Sequence, residues 1–276
     1  MKTKLSLVAL VVSSMLFISC KDNKQKESKD VQKNDTEHVE KEVLKKDCND
    51  VHWSHHEGED GPKNWKNLCD GFSDCGGKAQ SPINIVTKNS SNGTELMAPK
   101  FSYGKSKVDI INNSHTLQFN VSGENMVNLN GKDYKLLQFH YHALSEHTID
   151  GKYFPLEVHF VHQHSDTDFA VLGVMFKEGE ENELFKKYLD KFPTTKGAYE
   201  SAETIDLLGL FPDDKSYYNY KGSLTTPPCS EVVNWFVLKT PVTASKEQID
   251  QFSKLLNNNY RPIQALNDRT VLSYSK

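Results

Sequence analysis

The chain has 276 residues, 37% of them hydrophobic, and a formal net charge of −4. Ordinary Gly and Pro contents of 15 and 10 residues exclude collagen-like and low-complexity chains, and a single long apolar run excludes a multi-span membrane protein. With Lys plus Arg at 33 against 37 acidic side chains there is no basic excess for a nucleic-acid partner, and the length allows one large domain or two small ones.

Lys2 and Lys4 precede an apolar stretch from Leu5 to Ile18, the layout of a secretory signal and too short for a spanning helix. It ends in Ser19-Cys20 and resembles a bacterial lipoprotein signal, with 1–19 removed and Cys20 lipidated. The expected location is therefore exported and lipid-anchored in the bacterial cell envelope, on the periplasmic face or cell surface, with the outer membrane favoured. Residues 20–47 then read as a tether. From Lys21 to Asp47 there are eight basic and eight acidic residues and too little apolar surface to offset the entropy of ordering. Residues 48–276 remain for a single folded domain. Cys48, Cys69, Cys75 and Cys229 are an even set in an exported chain, which reads as two disulfides, and spacing leaves all three connectivities open.

Beyond the tether, Val108–Ile111, Leu117–Val121, Met126–Leu129, Leu136–His142, Leu156–His162 and Phe169–Phe176 alternate like strands. Asn130-Gly131 and Asp150-Gly151 are tight-turn dipeptides joining antiparallel neighbours. Helical periodicity is read over 180–191 and 245–258, the second opened by Ser245. The expected fold is predominantly β (mixed α+β). It is one domain with a large central twisted, mostly antiparallel sheet of about ten strands and a few short peripheral helices.

The densest chemistry lies between Gln138 and His164. Alternation puts Gln138, His140 and His142 on one strand face, and Glu157, His159 and Val161 on one face of the next. If those strands are neighbours, three imidazoles converge, which is a donor set for a catalytic zinc with an open fourth position. Gln138 and Glu157, each two residues from a histidine, would orient the second ring nitrogens. His162 points to the opposite face, so His162, His164 and His147 read as hydrogen-bonding rather than ligating. His38 falls in the tether and His52, His55 and His56 in a loop, with solvated roles expected.

These residues, with Trp53-Ser54, Gly61-Pro62-x-x-Trp65, Gln80-Ser81-Pro82-Ile83-Asn84-Ile85, Asn112-Asn113-Ser114-His115, Ser145-Glu146-His147-Thr148, Gly222–Cys229 and Asn259-Tyr260-Arg261-Pro262, closely resemble the α-class carbonic anhydrases from about Trp53 to Arg269. The short link from His142 to Glu146 resembles the bacterial branch. The resemblance implies a zinc lyase that interconverts carbon dioxide and bicarbonate through hydroxide formed at the metal. In it His140, His142 and His159 match the Zn2+ ligands, Gln138 and Glu157 their supporting partners, Thr225 the gatekeeper and Glu146 its acceptor. His115 matches the proton shuttle, and Val161, Val171, Leu224, Val233 and Trp235 match the carbon dioxide wall beside Thr226. Asn113 and Gln118 match solvent-ordering positions. It also implies a Cys75–Cys229 disulfide, which leaves Cys48 with Cys69. The chain departs from the family at His55, where a Tyr is usual, and at Tyr260, where Trp is common; His55 is thereby placed in the solvent network.

Carbon dioxide and bicarbonate are thus the expected small-molecule partners, the membrane is reached through the lipid, and no nucleic-acid partner is expected. Monomer and homodimer are both compatible. Two rival readings are a catalytically silent carbonic-anhydrase-like binding domain, which typically loses a zinc histidine, and a cupin using Glu146 as a ligand. No H-E-x-x-H is present for a zinc peptidase.

Overall fold

The computed structural model describes residues 47–276. The signal peptide 1–19, the Cys20 lipidation site and all but the last residue of the tether lie outside the described residues. Eight strands carry most of the fold: β1 (Lys105–Asn112), β2 (Leu117–Val121), β3 (Met126–Leu129), β4 (Lys132–His142), β5 (Leu156–Ser165), β6 (Asp168–Glu178), β7 (Tyr217–Gly222) and β8 (Val233–Leu238). With shorter segments they form a 14-stranded sheet, along which the spatial order runs β1, β2, β4, β5, β6, β8, β7.

The sheet is larger than the expected ten strands and is mixed. β6 runs antiparallel to β5 but parallel to both β8 and Val242–Ala244. Parallel pairing follows from the long crossover between β6 and β8, where a two-residue turn would have enforced an antiparallel neighbour. Both tight turns form as read. Asn130 and Gly131 have φ of 52° and 85°, and Asp150 and Gly151 have 49° and 76°, the left-handed pairs that hairpin turns need.

One helix matches its sequence signal. Ser245 caps Lys246–Leu256: its hydroxyl accepts from Gln248 N, and Gln248 Oε1 accepts from Ser245 N. The helix expected over 180–191 does not form; two 3-10 turns, Phe185–Lys187 and Leu189–Lys191, stand there. The Asn182 carboxamide accepts from Leu184 N and Phe185 N, a local competition that favours a turn over a helix. Phe185 and Tyr188 then drop into the main core, where burial outweighs helical continuity.

That core lies on one face of the sheet. Phe119, Phe139 and Phe160 from β2, β4 and β5 stack across strands at 4.7 and 5.2 Å, and the helix adds Phe252 against Tyr141. Between β4 and β5 the register slips by one residue at Leu137. The bulge lets Leu136 and Phe139 both face this core while Gln138, His140 and His142 face the other way. The opposite face carries a second apolar cluster containing Val171, Met175, Val233, Trp235 and Val237.

Candidate metal centre

Antiparallel pairing sets His140 directly opposite His159, and Glu157 opposite His142. Side chains on one sheet face at such positions are near neighbours. His140, His142 and His159 each offer a ring nitrogen within 4.8 Å of the others. On the far side of β4, Gln118 pairs with His140.

His140 and His142 have their other nitrogen hydrogen-bonded, and that of His159 lies against a carboxylate without forming a hydrogen bond. His140 Nδ1 donates to Gln138 Oε1 at 2.9 Å, and His142 Nδ1 to the Asn259 carbonyl at 2.6 Å. His159 Nε2 faces Glu157 Oε1 at 2.9 Å. The nitrogens left for a ligand are therefore Nε2 of His140 and His142 and Nδ1 of His159. His142 Nε2 is buried without a hydrogen-bond partner, a state that costs free energy unless something else binds it. Burial, ahead of repulsion from His142 and His159, holds the His140 pKa well below the ordinary imidazole value; burial also holds His142 at about 4 and lowers His159. All three are neutral near pH 7, as metal ligation requires.

Glu157 holds more than His159. Its Oε2 accepts from the backbone N–H groups of Glu146 and His147, and its Oε1 accepts from His147 Nδ1 at 2.8 Å. Against the desolvation that would raise it, these partners keep its pKa well below the usual carboxylate range. His147 passes the network on from Nε2 to the Tyr220 hydroxyl at 2.6 Å, so it is a buried structural histidine. The close approach of Glu157 to β6 requires Gly173. A Cβ there would lie 2.7 Å from Glu157 Oε1.

Glu146 is fully buried beside the imidazoles. Its Oε1 accepts from Arg261 N at 2.7 Å, and its Oε2 lies 3.6 Å from His142 Nε2 and 3.7 Å from His159 Nδ1. Burial raises its pKa to about 6, opposed by His159, by the nearby Thr225 hydroxyl and by the Arg261 N–H. Thr225 comes close enough to favour the charge but short of a formed hydrogen bond, because Oε2 takes none. Glu146 does not join the three histidines as a common donor group, which separates this site from a cupin arrangement.

A small cavity of about 140 Å3 reaches the imidazoles between Asn113, His115, Gln118, Gln138, His55 and Thr226. Val161, Val171, Leu224, Val233 and Trp235 belong to one apolar cluster, which meets the imidazoles through the Trp235 ring, 4.8 Å from that of His159. His115 sits on the β1–β2 turn. The Asn113 carboxamide accepts from His115 N and Thr116 N at 2.9 Å, and Ser114 takes φ of 76°. Its ring stacks on Trp53 at 3.8 Å. His55 differs from the solvated loop role expected for it, since it is packed between Trp53 and Trp65 and its pKa falls to about 3, first through burial. His162 faces the other side, where Nδ1 donates to the Phe160 carbonyl and Nε2 meets the Tyr103 hydroxyl.

The two disulfides are Cys75–Cys229 and Cys48–Cys69. The first anchors the Thr225 loop, and Gln80 Nε2 donates to the Cys229 carbonyl at 3.1 Å. Arg261 completes the support, with its guanidinium donating to Gln80 Oε1, the Ser81 carbonyl and the Cys75 carbonyl. The Asn259 carbonyl, Gly173 and the Arg261 guanidinium are the supports that residue spacing does not reveal. A main-chain acceptor has no side-chain signature, and a glycine in a strand announces only a close approach.

Fold and site together define a β-sheet protein with a three-imidazole centre at the end of a small, largely polar cavity. The model of the eukaryotic-type carbonic anhydrase family matches residues 60–275, and the chain belongs to that family. It is 43% identical over 225 residues to a carbonic anhydrase of Pectobacterium atrosepticum, covering 80% of this chain and 91% of that one. With a carbonic anhydrase of Neisseria gonorrhoeae it shares 40% over 227 residues, 81% and 88% of the two chains. The α-carbonic anhydrase of Thermovibrio ammonificans, solved with the inhibitor sulfanilamide, superposes with a TM-score of 0.77 at 40% identity, covering 80% of this chain and 99% of that one. That of Photobacterium profundum gives 0.74 at 39%, covering 80% and 100%. The protein is thus an enzyme, a carbonic anhydrase, from a family that hydrates carbon dioxide.

Proposed function

We propose that this chain catalyses the reversible hydration of carbon dioxide to bicarbonate and a proton with Zn2+ held by His140, His142 and His159. The observation that carries the reading is the set of three neutral imidazoles, two with the second nitrogen hydrogen-bonded and the third with it beside Glu157, and a buried His142 Nε2 left without a partner. Zinc bound to such a set acidifies water to a pKa of about 7, a value characteristic of carbonic anhydrase itself.

The remaining work falls to the protein. Gln138, the Asn259 carbonyl and Glu157 fix the tautomer and tilt of each imidazole. Thr225 stands near the Glu146 carboxylate; with its hydroxyl proton turned to ionised Glu146 it would be left to accept from the attacking water, which would turn a lone pair of that water toward the substrate. Carbon dioxide is apolar, and the cluster of Val161, Val171, Leu224, Val233 and Trp235 would position it without polar clamps, with Thr226 lining the cavity that reaches the imidazoles. Asn113 and Gln118 order solvent between the site and His115, which carries the proton out; burial lowers the His115 pKa from the ordinary imidazole value, which favours release of the proton it receives. His55, held near pKa 3, lines the path as a neutral group.

Two disulfides support the reading of export into an oxidising compartment, with residues 1–19 as signal and Cys20 as the lipid anchor. The test is stopped-flow carbon dioxide hydration by the full chain with its zinc content measured. About one zinc per chain and zinc-dependent turnover are expected, with both lost in His159→Ala; full activity in that variant refutes the assignment. An arylsulfonamide of the sulfanilamide type should inhibit.

A further inference from the structure

Glu231 is an exposed residue whose carboxylate nevertheless reaches inward. Its Oε1 accepts from Ala79 N at 2.6 Å and from Gln80 Nε2 at 2.8 Å, partners 152 and 151 residues away along the chain. The main chain is shaped to receive it. A Cβ on Gly77 would lie 2.1 Å from Glu231 Oε1, so the backbone approaches as closely as only glycine permits.

Gln80 is buried, and its carboxamide uses its full hydrogen-bonding capacity. Oε1 accepts from Arg261 Nη1 at 2.8 Å and from Ser223 Oγ at 3.4 Å, while Nε2 donates to the Cys229 carbonyl at 3.1 Å and to Glu231. Turned over, the amide would set its N–H groups against the Arg261 guanidinium and its oxygen against the Glu231 carboxylate. A cation on one side and an anion on the other thus fix a single orientation. Burial draws the Arg261 pKa down to about 10, opposed by Glu146 and then by Glu231. The same segment grips both ends of the loop that carries Thr225. Ser81 N donates to Ser223 Oγ at 3.0 Å and Ser223 N to Ser81 Oγ at 3.1 Å before the threonine, and Cys229, with a left-handed φ of 59°, follows it. Arg261 in turn gives its backbone N–H to Glu146 Oε1 at 2.7 Å. Gln80 therefore stands between the Thr225 loop and the residue that holds Glu146.

We propose that Glu231 is a positioning residue for the hydration step: by fixing the Gln80 carboxamide it holds the Thr225 loop in register with the Glu146 carboxylate. The inference rests on the reading that Thr225, turned to Glu146, orients the attacking water. Glu231 is not among the residues that line the cavity reaching the imidazoles, so it acts through Gln80. Without its acceptor, Ala79 N and one Gln80 N–H lose their partner. The carboxamide is then free to swing away from Arg261 and the Cys229 carbonyl, and the loop shifts relative to Glu146. Alignment of Thr225 bears on attack at carbon dioxide and not on proton export, so the cost falls on kcat/KM.

The test is stopped-flow carbon dioxide hydration by the zinc-loaded full chain. In Glu231→Ala, kcat/KM is expected to fall about fivefold, while zinc content and kcat in dilute buffer, where proton export sets the pace, stay at wild-type values. Glu231→Gln keeps an acceptor oxygen and should stay within about twofold of wild type. Gly77→Ala, which displaces the carboxylate sterically, should reproduce the loss. A double-mutant cycle identifies the route: with Gln80→Met in place, adding Glu231→Ala should change kcat/KM by less than about twofold. Amide hydrogen exchange over 222–230, which does not depend on turnover, should quicken in Glu231→Ala and not in Glu231→Gln. Wild-type kcat/KM in Glu231→Ala, an equal fall in kcat accompanied by zinc loss, or a fivefold loss that persists in Gln80→Met overturns the positioning role, and a slow Thr225→Ala alongside shows that the Thr225 reading stands. Thr225→Ala with wild-type kcat/KM overturns that reading, and the role of Glu231 with it.

Discussion

Cutting the Cys75–Cys229 bridge should cost more stability than cutting Cys48–Cys69, and the difference can be worked from chain length. The bridges span sequence separations of 154 and 21 residues. Loop-closure entropy in the unfolded chain gives about 5 kcal/mol for the long bridge and about 3 kcal/mol for the short one at 25 °C, a gap of about 2 kcal/mol. These are upper values, because a denatured chain with residual structure has less entropy to regain. The long bridge also ties Cys229, next to the Thr225-Thr226-Pro227-Pro228 segment, to the residue whose carbonyl takes a guanidinium N–H of Arg261. Its loss therefore loosens the acceptor side of the active site as well. The perturbations are the double variants Cys75→Ala/Cys229→Ala and Cys48→Ala/Cys69→Ala, chosen because alanine leaves no unsatisfied hydroxyl in the shared apolar cluster with Trp65 and Phe72. Equilibrium guanidinium unfolding, followed by tryptophan fluorescence, gives each loss from midpoint and slope. Against a total of about 5–15 kcal/mol for a domain, the long-bridge variant should lie close to unfolding at 37 °C. Equal losses, or a larger loss from the short bridge, would refute the reasoning.

Three further outcomes are expected. Gly173→Ala places a methyl 2.7 Å from Glu157 Oε1, and the displaced carboxylate should weaken zinc retention about 10–100-fold, read by chelator competition with little change in far-UV circular dichroism. His115→Ala should slow turnover in dilute buffer and recover partly with added imidazole; a wild-type buffer response in the variant would remove His115 from the proton path. Burial holds the His162 pKa at about 3, below the ordinary 6.5, so the unfolded chain binds a proton there first as the pH falls. The stability that this neutral histidine permits is complete above about pH 6.5. It is lost between there and pH 3, at up to about 1.4 kcal/mol per pH unit. In His162→Gln the slope of unfolding free energy between pH 6.5 and 5 should flatten by up to that amount, and an unchanged slope would show that His162 is protonated in the folded state.

The chemistry of the site was legible because strand alternation is a local property. A period of two sends Gln138, His140 and His142 one way, and Glu157 and His159 likewise, whatever their surroundings. Left-handed Asn130-Gly131 and Asp150-Gly151 and the Ser245 cap were legible for the same reason, since backbone conformation there depends on two to four residues. Over 180–191 two 3-10 turns replace the expected helix, because periodicity cannot distinguish an amphipathic helix from a turn whose Phe185 and Tyr188 are claimed by a distant core.

By itself the sequence determined which donors share a face and which residue types could neutralise, orient or carry a proton. Tertiary structure decided the rest. It placed His159 opposite His140, slipped the register at Leu137, brought the Asn259 carbonyl to His142 from 117 residues away, and set Gln80 between Arg261 and the Thr225 loop. These are long-range pairings, selected by the burial of two apolar faces over the whole sheet, and no window of neighbouring residues contains the energy that chooses among them.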